Sequence, residues 1–293
     1  ELPQGPSFTT PRWLGEDPRC QVVAQQMTLL WDGKQRLKQL DAQGGESPLE
    51  LLVLGTEKLQ LIGDRLQWRG VDGQLTLTGE GRQKLTIGDR AELIADRLSM
   101  SMSQNLASGE GSVEGTVSRP GDDEQPIPVT ILCDSVVVSL APDDQQVTTD
   151  DARSSNPTAA GSIIGVRALS GEDGRVQIED GTFLARCDEL LWDAEKQRYR
   201  FQGKGLQQVE IAAGGATPDR IEAETITLDP IQGTAELVGD ARARVYLGNA
   251  SADGVVETIE KMAWNLESDR IDAKLDLSGD QIRLVEVSAA KNV

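Results

Sequence analysis

Repeated carboxylates are the side chains of this sequence that could most directly do chemistry. Six acidic residues open copies of one short phrase: Asp64, Asp96, Asp134, Asp188, Glu224 and Glu260. Clustered carboxylates can bind calcium, and a pair of them can act as general acid and base. A calcium loop, however, places several oxygen ligands close together in sequence, whereas each phrase supplies one acid at its start. We therefore expect each acidic residue to begin a β-strand and to cap the backbone of the preceding turn.

Histidine is absent from the 293 residues, which removes the commonest general base and the most frequent zinc ligand. Cys20, Cys133 and Cys187 are too few and too widely separated to form a disulfide scaffold or a zinc knuckle. Because Cys133 and Cys187 each precede a repeated acid, the sequence is compatible with a disulfide between them or with two buried thiols. We expect no catalytic residue, metal ion or cofactor. An enzyme built on the repeated carboxylates, such as a glycosidase or lyase, is the third hypothesis, behind the two non-catalytic ones given below.

The charge balance argues against several kinds of partner. With 29 basic and 48 acidic residues, the formal net charge is −19, which opposes binding to nucleic acid or to an anionic membrane surface. No run approaches the ~20 apolar residues of a membrane helix, and the first residues lack the basic and apolar regions of a signal peptide. We expect that a signal was removed or that the sequence begins inside a longer chain.

The repeated phrase predicts β-strands. In Asp64–Trp68 and Asp188–Trp192, an acid is followed by a variable residue, an aliphatic residue, another variable residue and a bulky apolar residue, with a degenerate first copy at Gln25–Leu29. Successive acids are 32, 38, 54, 36 and 36 residues apart (96−64, 134−96, 188−134, 224−188, 260−224), which indicates a repeat architecture. Aliphatic and bulky residues two positions apart share one face of a strand. They form an apolar ladder, whose members are Leu66, Trp68, Leu98, Met100, Val136, Val138, Leu190, Trp192, Ile226, Leu228, Met262 and Trp264.

Each phrase is followed by the features of a hairpin. A turn-forming segment leads to a second alternating stretch, and in four of the seven copies a glycine lies 11 residues after the bulky residue, as in Trp68 to Gly79 (79−68). Such a glycine permits a bulge or a sharp bend. A long acidic stretch interrupts the rhythm between the third and fourth aspartates. We therefore predict an irregular segment at residues 1–19, two halves of an all-β repeat domain at 20–140 and 162–293, and a flexible excursion at 141–161.

The apolar ladder has two interpretations. In the first, its side chains fill the core between two stacked sheets. In the second, the sheets stay apart and the ladder lines a trough for a ligand with long alkyl chains. Ladder residues packed at core density would argue against the second interpretation, whereas a trough open along its length and wide enough for acyl chains would favour it.

Two segments carry a resemblance to a known family. Ala95-Asp96-Arg97-Leu98, and Cys187–Asp193 followed by Tyr199 and Gly203, resemble the repeat of the OstA-like family of periplasmic lipopolysaccharide-transport proteins, to which LptA and LptC belong. The resemblance extends over about residues 20–288. It implies an elongated, open, twisted β-jellyroll of about seven stacked antiparallel repeats, whose V-shaped interior shelters acyl chains and whose ladder residues face the lipid. Such proteins also join end to end through exposed edge strands, and the family has no catalytic residues to transfer.

This chain departs from the family in its greater length, its acidic insertions, its negative charge, and its Trp, Met, Val or Leu where tyrosine is usual. On the resemblance, we expect a periplasmic cell-envelope protein that binds lipopolysaccharide or a related amphiphilic lipid and passes it toward the outer membrane. Its expected partners are that lipid and other OstA-like proteins, without nucleic acid. The alternative is a non-catalytic structural or protein-interaction β-repeat module of the envelope.

Overall fold

The structure, a computed structural model, describes most of the chain. The described residues are 7–10, 19–32, 37–54, 58–70, 73–89, 91–120, 126–141, 163–171, 174–181, 183–211, 218–246, 263–276 and 283–290. Their secondary structure consists of 22 β-strands without any helix, so the prediction of an all-β fold is confirmed. Within these ranges there is accordingly no helix long and apolar enough to cross a membrane.

The chain forms two compact units, which comprise Glu1–Arg167 (unit 1) and Ala168–Val293 (unit 2). The strands of unit 1 are β1 (Ser7–Thr10), β2 (Arg19–Val23), β3 (Gln26–Trp31), β4 (Leu37–Gln43), β5 (Leu49–Leu54), β6 (Lys58–Gly63), β7 (Arg65–Arg69), β8 (Gln74–Thr78), β9 (Gln83–Ile87), β10 (Ala91–Ala95), β11 (Arg97–Ser101), β12 (Leu106–Pro120) and β13 (Pro126–Leu140). Strand β14 (Ile163–Leu169) runs across the boundary between the units. The strands of unit 2 are β15 (Val176–Glu179), β16 (Phe183–Cys187), β17 (Glu189–Asp193), β18 (Arg198–Ile211), β19 (Asp219–Asp229), β20 (Thr234–Tyr246), β21 (Ala263–Asp276) and β22 (Arg283–Ala290).

Unit 1 contains two layers of antiparallel strands. In the first layer, the pairing order is β3, β4, β7, β8, β11 and the first part of β12. In the second layer, the order is β1, β2, β5, β6, β9, β10 and the later part of β12. The layers face each other, since Gly63 of β6 lies directly against the side chain of Leu77 of β8. The alternating apolar residues of both layers are buried and form the core between them.

The chain passes between the layers along one side, which we call the spine. Strand β6 of the second layer is followed at Asp64 by β7 of the first, and β10 is followed at Asp96 by β11. Strand β12 changes layers within its own length, because residues up to Glu110 pair with β11 and residues from Glu114 onward pair with β10. Consecutive strands of one layer are connected on the opposite side, which we call the mouth.

Unit 2 has the same arrangement with longer strands. Strand β16 is followed at Asp188 by β17, and β18 pairs with β17 in one layer before it pairs with β16 in the other. The register of the β18–β19 and β19–β20 pairs shifts where these strands change layers, near residues 203–206 and 239–240. The spine of unit 2 therefore lies at the repeated acids, as the spine of unit 1 does.

The N-terminal segment, predicted to be irregular, contains β1, which pairs with β2 from Ser7↔Val23 to Thr10↔Cys20. The prediction overlooked the run Ser-Phe-Thr-Thr, whose aromatic and β-branched residues suit a strand once a neighbouring strand offers backbone partners. The predicted excursion at 141–161 lies outside the described residues from 142 onward.

Candidate functional site

The repeated acids hold the spine. Asp64 Oδ2 accepts a hydrogen bond from the backbone N–H of Gly81 at 3.0 Å, and Asp188 Oδ2 accepts one from the backbone N–H of Lys204 at 2.7 Å. Each carboxylate therefore binds the backbone at the point where the chain next passes from one layer to the other, 17 (81−64) or 16 (204−188) residues further on. The role is structural, as predicted, but the backbone that these acids cap belongs to the following crossing and not to the preceding turn.

Four of the six repeated acids, Asp64, Asp96, Asp188 and Glu224, are followed 15 residues later by a glycine that this contact requires. A Cβ atom on Gly79 would lie 2.0 Å from Asp64 Oδ2, and one on Gly203 would lie 2.1 Å from Asp188 Oδ2. Gly111 and Gly239 approach Asp96 and Glu224 in the same way, and both have a positive φ, 75° and 81°. In these four copies the acid and the glycine thus form one structural unit at the spine.

Two glutamines that were not predicted from the sequence also bind the backbone at these acid–glycine contacts, which we call the corners of the spine. Gln83 and Gln207 are fully buried, and their side-chain oxygens accept hydrogen bonds from the backbone N–H groups of Asp64 (3.2 Å) and Asp188 (2.9 Å). Their amide groups donate to the carbonyl oxygens of Gly81 and Gly205. The signal that could have identified them is their equal separation from the acid, 19 residues in both cases (83−64 and 207−188).

The cysteines and acids of the described residues do not assemble a reactive or metal-binding cluster. In that part of the chain, no three Cys, Asp or Glu side chains come together as metal ligands. Cys133 and Cys187 are buried and are not joined in a disulfide, so of the two alternatives the structure has the buried thiols. Burial, with a smaller contribution from the charge of Asp134, raises the pKa of the Cys133 thiol to about 12, which keeps it protonated and unreactive at neutral pH.

Carboxylates do converge on the outer face of unit 2, where they form ion pairs. A depression there, of about 360 Å³, is lined by Arg270, Asp272, Lys274 and neighbouring residues. Arg270 contacts Glu236 and Asp272, each at 3.0 Å, and Lys274 contacts Glu286 at 2.6 Å. The hydrogen bond from Arg270 to Asp272, followed by the charges of Asp272 and Glu236, raises the pKa of this guanidinium. These ion pairs, of which Arg270–Glu236 and Lys274–Glu286 join neighbouring strands, indicate a salt-bridged outer face of the sheet.

The apolar ladder lies between the two layers. The structure describes ten of its twelve side chains, and all ten are buried, with exposed fractions between 0 and 7% for Leu66, Trp68, Leu98, Met100, Val136, Val138, Leu190, Trp192, Ile226 and Leu228. Met262 lies outside the described residues, and only the backbone of Trp264, in β21, is described. The shared face is therefore as expected for those ten residues, whereas their predicted contact with lipid stays a prediction.

An apolar cleft lies between the layers of unit 1. Ile87 and Leu93 of the second layer form one wall, and Val136 and Val138 of the ladder lie on the other. The cavity within it is about 20 Å³, enough for roughly one water molecule and far smaller than the several hundred Å³ of a site for a small ligand. The cleft is therefore a narrow apolar gap between the two layers.

The gap lies beside a glycine, Gly115, which contributes no side chain to the core. Gly115 faces inward on β12 between the buried Val113 and Val117. A Cβ atom on Gly115 would lie 3.6 Å from the side chain of Leu93 and 3.9 Å from Ile131 O, so the glycine leaves room for a side chain. Gly109, on the same strand, has no such room, because a Cβ atom there would lie 3.2 Å from Ala95 Cβ.

Part of the interior of unit 2 is occupied by a cluster of aromatic rings. The rings of Trp192 and Tyr199 are stacked with centroids 5.8 Å apart, and those of Tyr199 and Phe201 are stacked at 6.3 Å. Phe183, from the second layer, meets Tyr199 and Phe201 edge-on at 5.2 and 6.1 Å. These contacts join the two layers through a continuous aromatic cluster.

Comparison with known proteins adds no relative. No protein-family model matches the sequence, and no curated protein matches it. Function is therefore inferred from two features of the geometry: an apolar interior between layers that are connected along one side, and a narrow cleft in unit 1. Among the described residues, Asp64 and Asp188 at the spine and Glu236, Asp272 and Glu286 on the outer face of unit 2 form structural contacts.

Proposed function

We propose that this chain is a non-catalytic lipid-binding protein of the cell envelope, and that the cleft of unit 1 receives an alkyl chain of an amphiphilic lipid. The observation that carries the proposal is the apolar interior between two layers that, within the described residues, the chain connects along the spine. Such layers can move apart at the mouth while the spine keeps them together. The polar head of the amphiphile would stay in water at the mouth.

The proposed ligand requires the layers to move. A cavity of about 20 Å³ cannot hold an alkyl chain, so binding must displace Val136 and Val138 from Ile87 and Leu93. Apolar contacts are non-directional, and the displaced side chains would contact the alkyl chain in place of one another. Binding would therefore exchange one apolar environment for another, at the expense of separating the two layers.

Support for the wider role comes from the arrangement of the repeats. Two antiparallel layers joined along one side, with an apolar interior, are what a β-jellyroll of the OstA-like type is expected to have. On this basis we propose a periplasmic location, lipopolysaccharide or a related amphiphile as ligand, transfer toward the outer membrane, and other OstA-like proteins as partners through edge strands. The net charge of −19 favours ligands whose alkyl chains contribute most of the binding energy.

Filling the cleft tests the proposal. In the full chain, Gly115→Val places a side chain in the gap that the alkyl chain would use. Binding of nitroxide-labelled stearic acid, followed by electron paramagnetic resonance, is expected to weaken by about tenfold or more, equivalent to at least 1.4 kcal/mol. Gly115→Ala, which introduces the smallest possible side chain, is expected to weaken binding less.

Gly205→Ala is the matched control, because no heavy atom lies within 4 Å of the added Cβ atom and the site is in unit 2. It should bind the probe as the unaltered chain does. Equal affinity of Gly115→Val and the unaltered chain, with both proteins folded, would exclude the cleft as the alkyl-chain site.

A second function is favoured by the density of the core. All ten described ladder residues are at most 7% exposed, as in an ordinary protein interior. A structural or protein-interaction module of the envelope needs no more than this. That function predicts that the folded chain binds no alkyl probe at any position, so the same titration distinguishes the two candidates.

A further inference from the structure

A buried hydrogen bond joins the two layers of unit 2 at the mouth. The Tyr199 hydroxyl, near the start of β18, donates to Asp180 Oδ2 at 2.7 Å. Asp180 follows β15 in the other layer, where its backbone N–H donates to Phe183 O at 3.0 Å. Both residues are fully buried. The bond therefore connects the layers on the side opposite the spine.

Aromatic contacts fix the position of the tyrosine. Its ring lies between those of Trp192 and Phe201, stacked on both, and meets the edge of Phe183 from the second layer. Separating the layers of unit 2 at this point would break the hydrogen bond, open the contact with Phe183 and uncover a buried carboxyl group. A buried polar group that loses its partner is unfavourable unless water replaces that partner.

Unit 1 has a leucine at the corresponding place. Tyr199 lies 7 residues after Trp192 (199−192), and Leu75 lies 7 residues after Trp68 (75−68). The pairing also corresponds, because Tyr199 is opposite Trp192 and Leu75 is opposite Trp68. Leu75 is buried but has no hydrogen-bonding group, so its contacts with the facing layer are apolar.

We propose that the Tyr199–Asp180 hydrogen bond is a latch that keeps the mouth of unit 2 closed, so that an amphiphile is taken up by unit 1 alone. The restriction to unit 1 rests on the proposed function, whereas the latch itself rests on the hydrogen bond and the ring contacts. The chain would then bind one alkyl chain, in the cleft where Gly115 leaves room, and unit 2 would stay shut.

Hydrogen–deuterium exchange of the full chain tests the latch without any ligand. In Tyr199→Phe, which removes only the hydroxyl group, the amides of β16 and of residues 198–203 should exchange about tenfold faster, since this segment would open more often. The amides of β9 and β10 in unit 1 should exchange as before. Asp180→Asn keeps a side-chain oxygen that can accept the tyrosine hydrogen, and should show a smaller increase.

Phe183→Leu is the control for general loosening of the core, because it removes ring contacts and leaves the hydroxyl and carboxylate in place. Its effect on exchange should be smaller than that of Tyr199→Phe. The latch hypothesis is wrong if folded Tyr199→Phe exchanges at the rate of the unaltered chain, or if Phe183→Leu raises the exchange rate more than Tyr199→Phe does.

Titration with nitroxide-labelled stearic acid tests the restriction to unit 1. The unaltered chain should bind one probe, and Tyr199→Phe should bind two because both mouths can then open. An unaltered chain that binds two probes overturns the restriction even if exchange supports the latch. An unaltered chain that binds none overturns the proposed function, and with it the restriction, while the exchange experiment still decides the latch.

Discussion

At the spine, adding a single methyl group to a glycine would produce a steric clash with the neighbouring acid. A Cβ atom on Gly79 would lie 2.0 Å from Asp64 Oδ2 and 2.4 Å from Asp64 Cβ. Rotation of the aspartate side chain cannot relieve the second contact. We therefore expect Gly79→Ala to lower the free energy of unfolding by about 1–3 kcal/mol, as overpacked substitutions do, measured by urea denaturation.

The neighbouring glycine is the control for this corner. A Cβ atom on Gly81 would lie 3.7 Å from Asp64 Oδ2, an ordinary contact, and the backbone N–H that donates to the carboxylate is kept. Gly81→Ala should change the free energy of unfolding by less than about 0.5 kcal/mol. Equal effects of the two substitutions would show that the acid–glycine contact is not what holds the corner.

The buried thiol of Cys133, which directly precedes the third repeated acid, should be protected from alkylation. The pKa of Cys133 is raised from 9.0 to about 12, so the neutral thiol persists as pH rises through the range in which a free cysteine ionises. At pH 9 its thiolate fraction, and hence its alkylation by iodoacetamide in the folded chain, should be lower than for a free thiol by on the order of 100-fold or more. Peptide-resolved mass spectrometry separates Cys133 from the other cysteines. Labelling as fast as in the urea-unfolded chain would contradict the assignment.

At the scale of strands and layers, sequence periodicity predicts local structure well. The i, i+2 apolar spacing predicted which residues share a face, and Leu66, Leu98 and Leu190 all lie on the buried face of their strands. The period of a strand is a local property, so a few residues suffice to specify it. The glycine at a fixed distance from the acid was likewise visible as a repeated separation.

Contacts between layers could not be predicted in this way. Tyr199 donates a hydrogen bond to Asp180, 19 residues away in another layer. The local sequence around either residue gives no indication of this contact. The cleft was equally hidden, because it depends on which strand faces Gly115 and on how far Leu93 and Ile131 extend toward it. Such features arise from stacking, which single-strand patterns do not encode.

Strand β12 offers a prediction at this scale. Glycine within a strand is entropically unfavourable, and Gly115 has room for a methyl group whereas Gly109 does not. Gly115→Ala should raise the free energy of unfolding by about 0.5 kcal/mol, and Gly109→Ala should leave it unchanged or lower it. Thermal and urea denaturation would measure both. A loss of stability in Gly115→Ala similar to that in Gly109→Ala would show that the cleft is not open.

At the scale of the whole molecule, charge should shape ligand choice. A net charge of −19 repels anionic head groups, and salt screens that repulsion within roughly 10 Å at 0.1 M. The affinity for dodecyl sulfate, used below its micellar concentration, should therefore rise by about two- to fivefold between 20 and 200 mM salt. A neutral dodecyl maltoside control corrects for the general effect of salt on apolar binding. Affinity for dodecyl sulfate that falls with salt would reveal a local cationic site.

The most direct test of the central claim is to locate an alkyl chain inside the unaltered protein. Methyl-detected nuclear magnetic resonance with nitroxide-labelled stearic acid reports which side chains lie near the spin label. We expect strong broadening of the methyl signals of Val117, Ile131 and Val138 in the cleft, with those of Ile226 and Leu228 in unit 2 unaffected. Equal broadening in both units, or none in the cleft at saturating probe, would contradict the claim that unit 1 holds the alkyl chain.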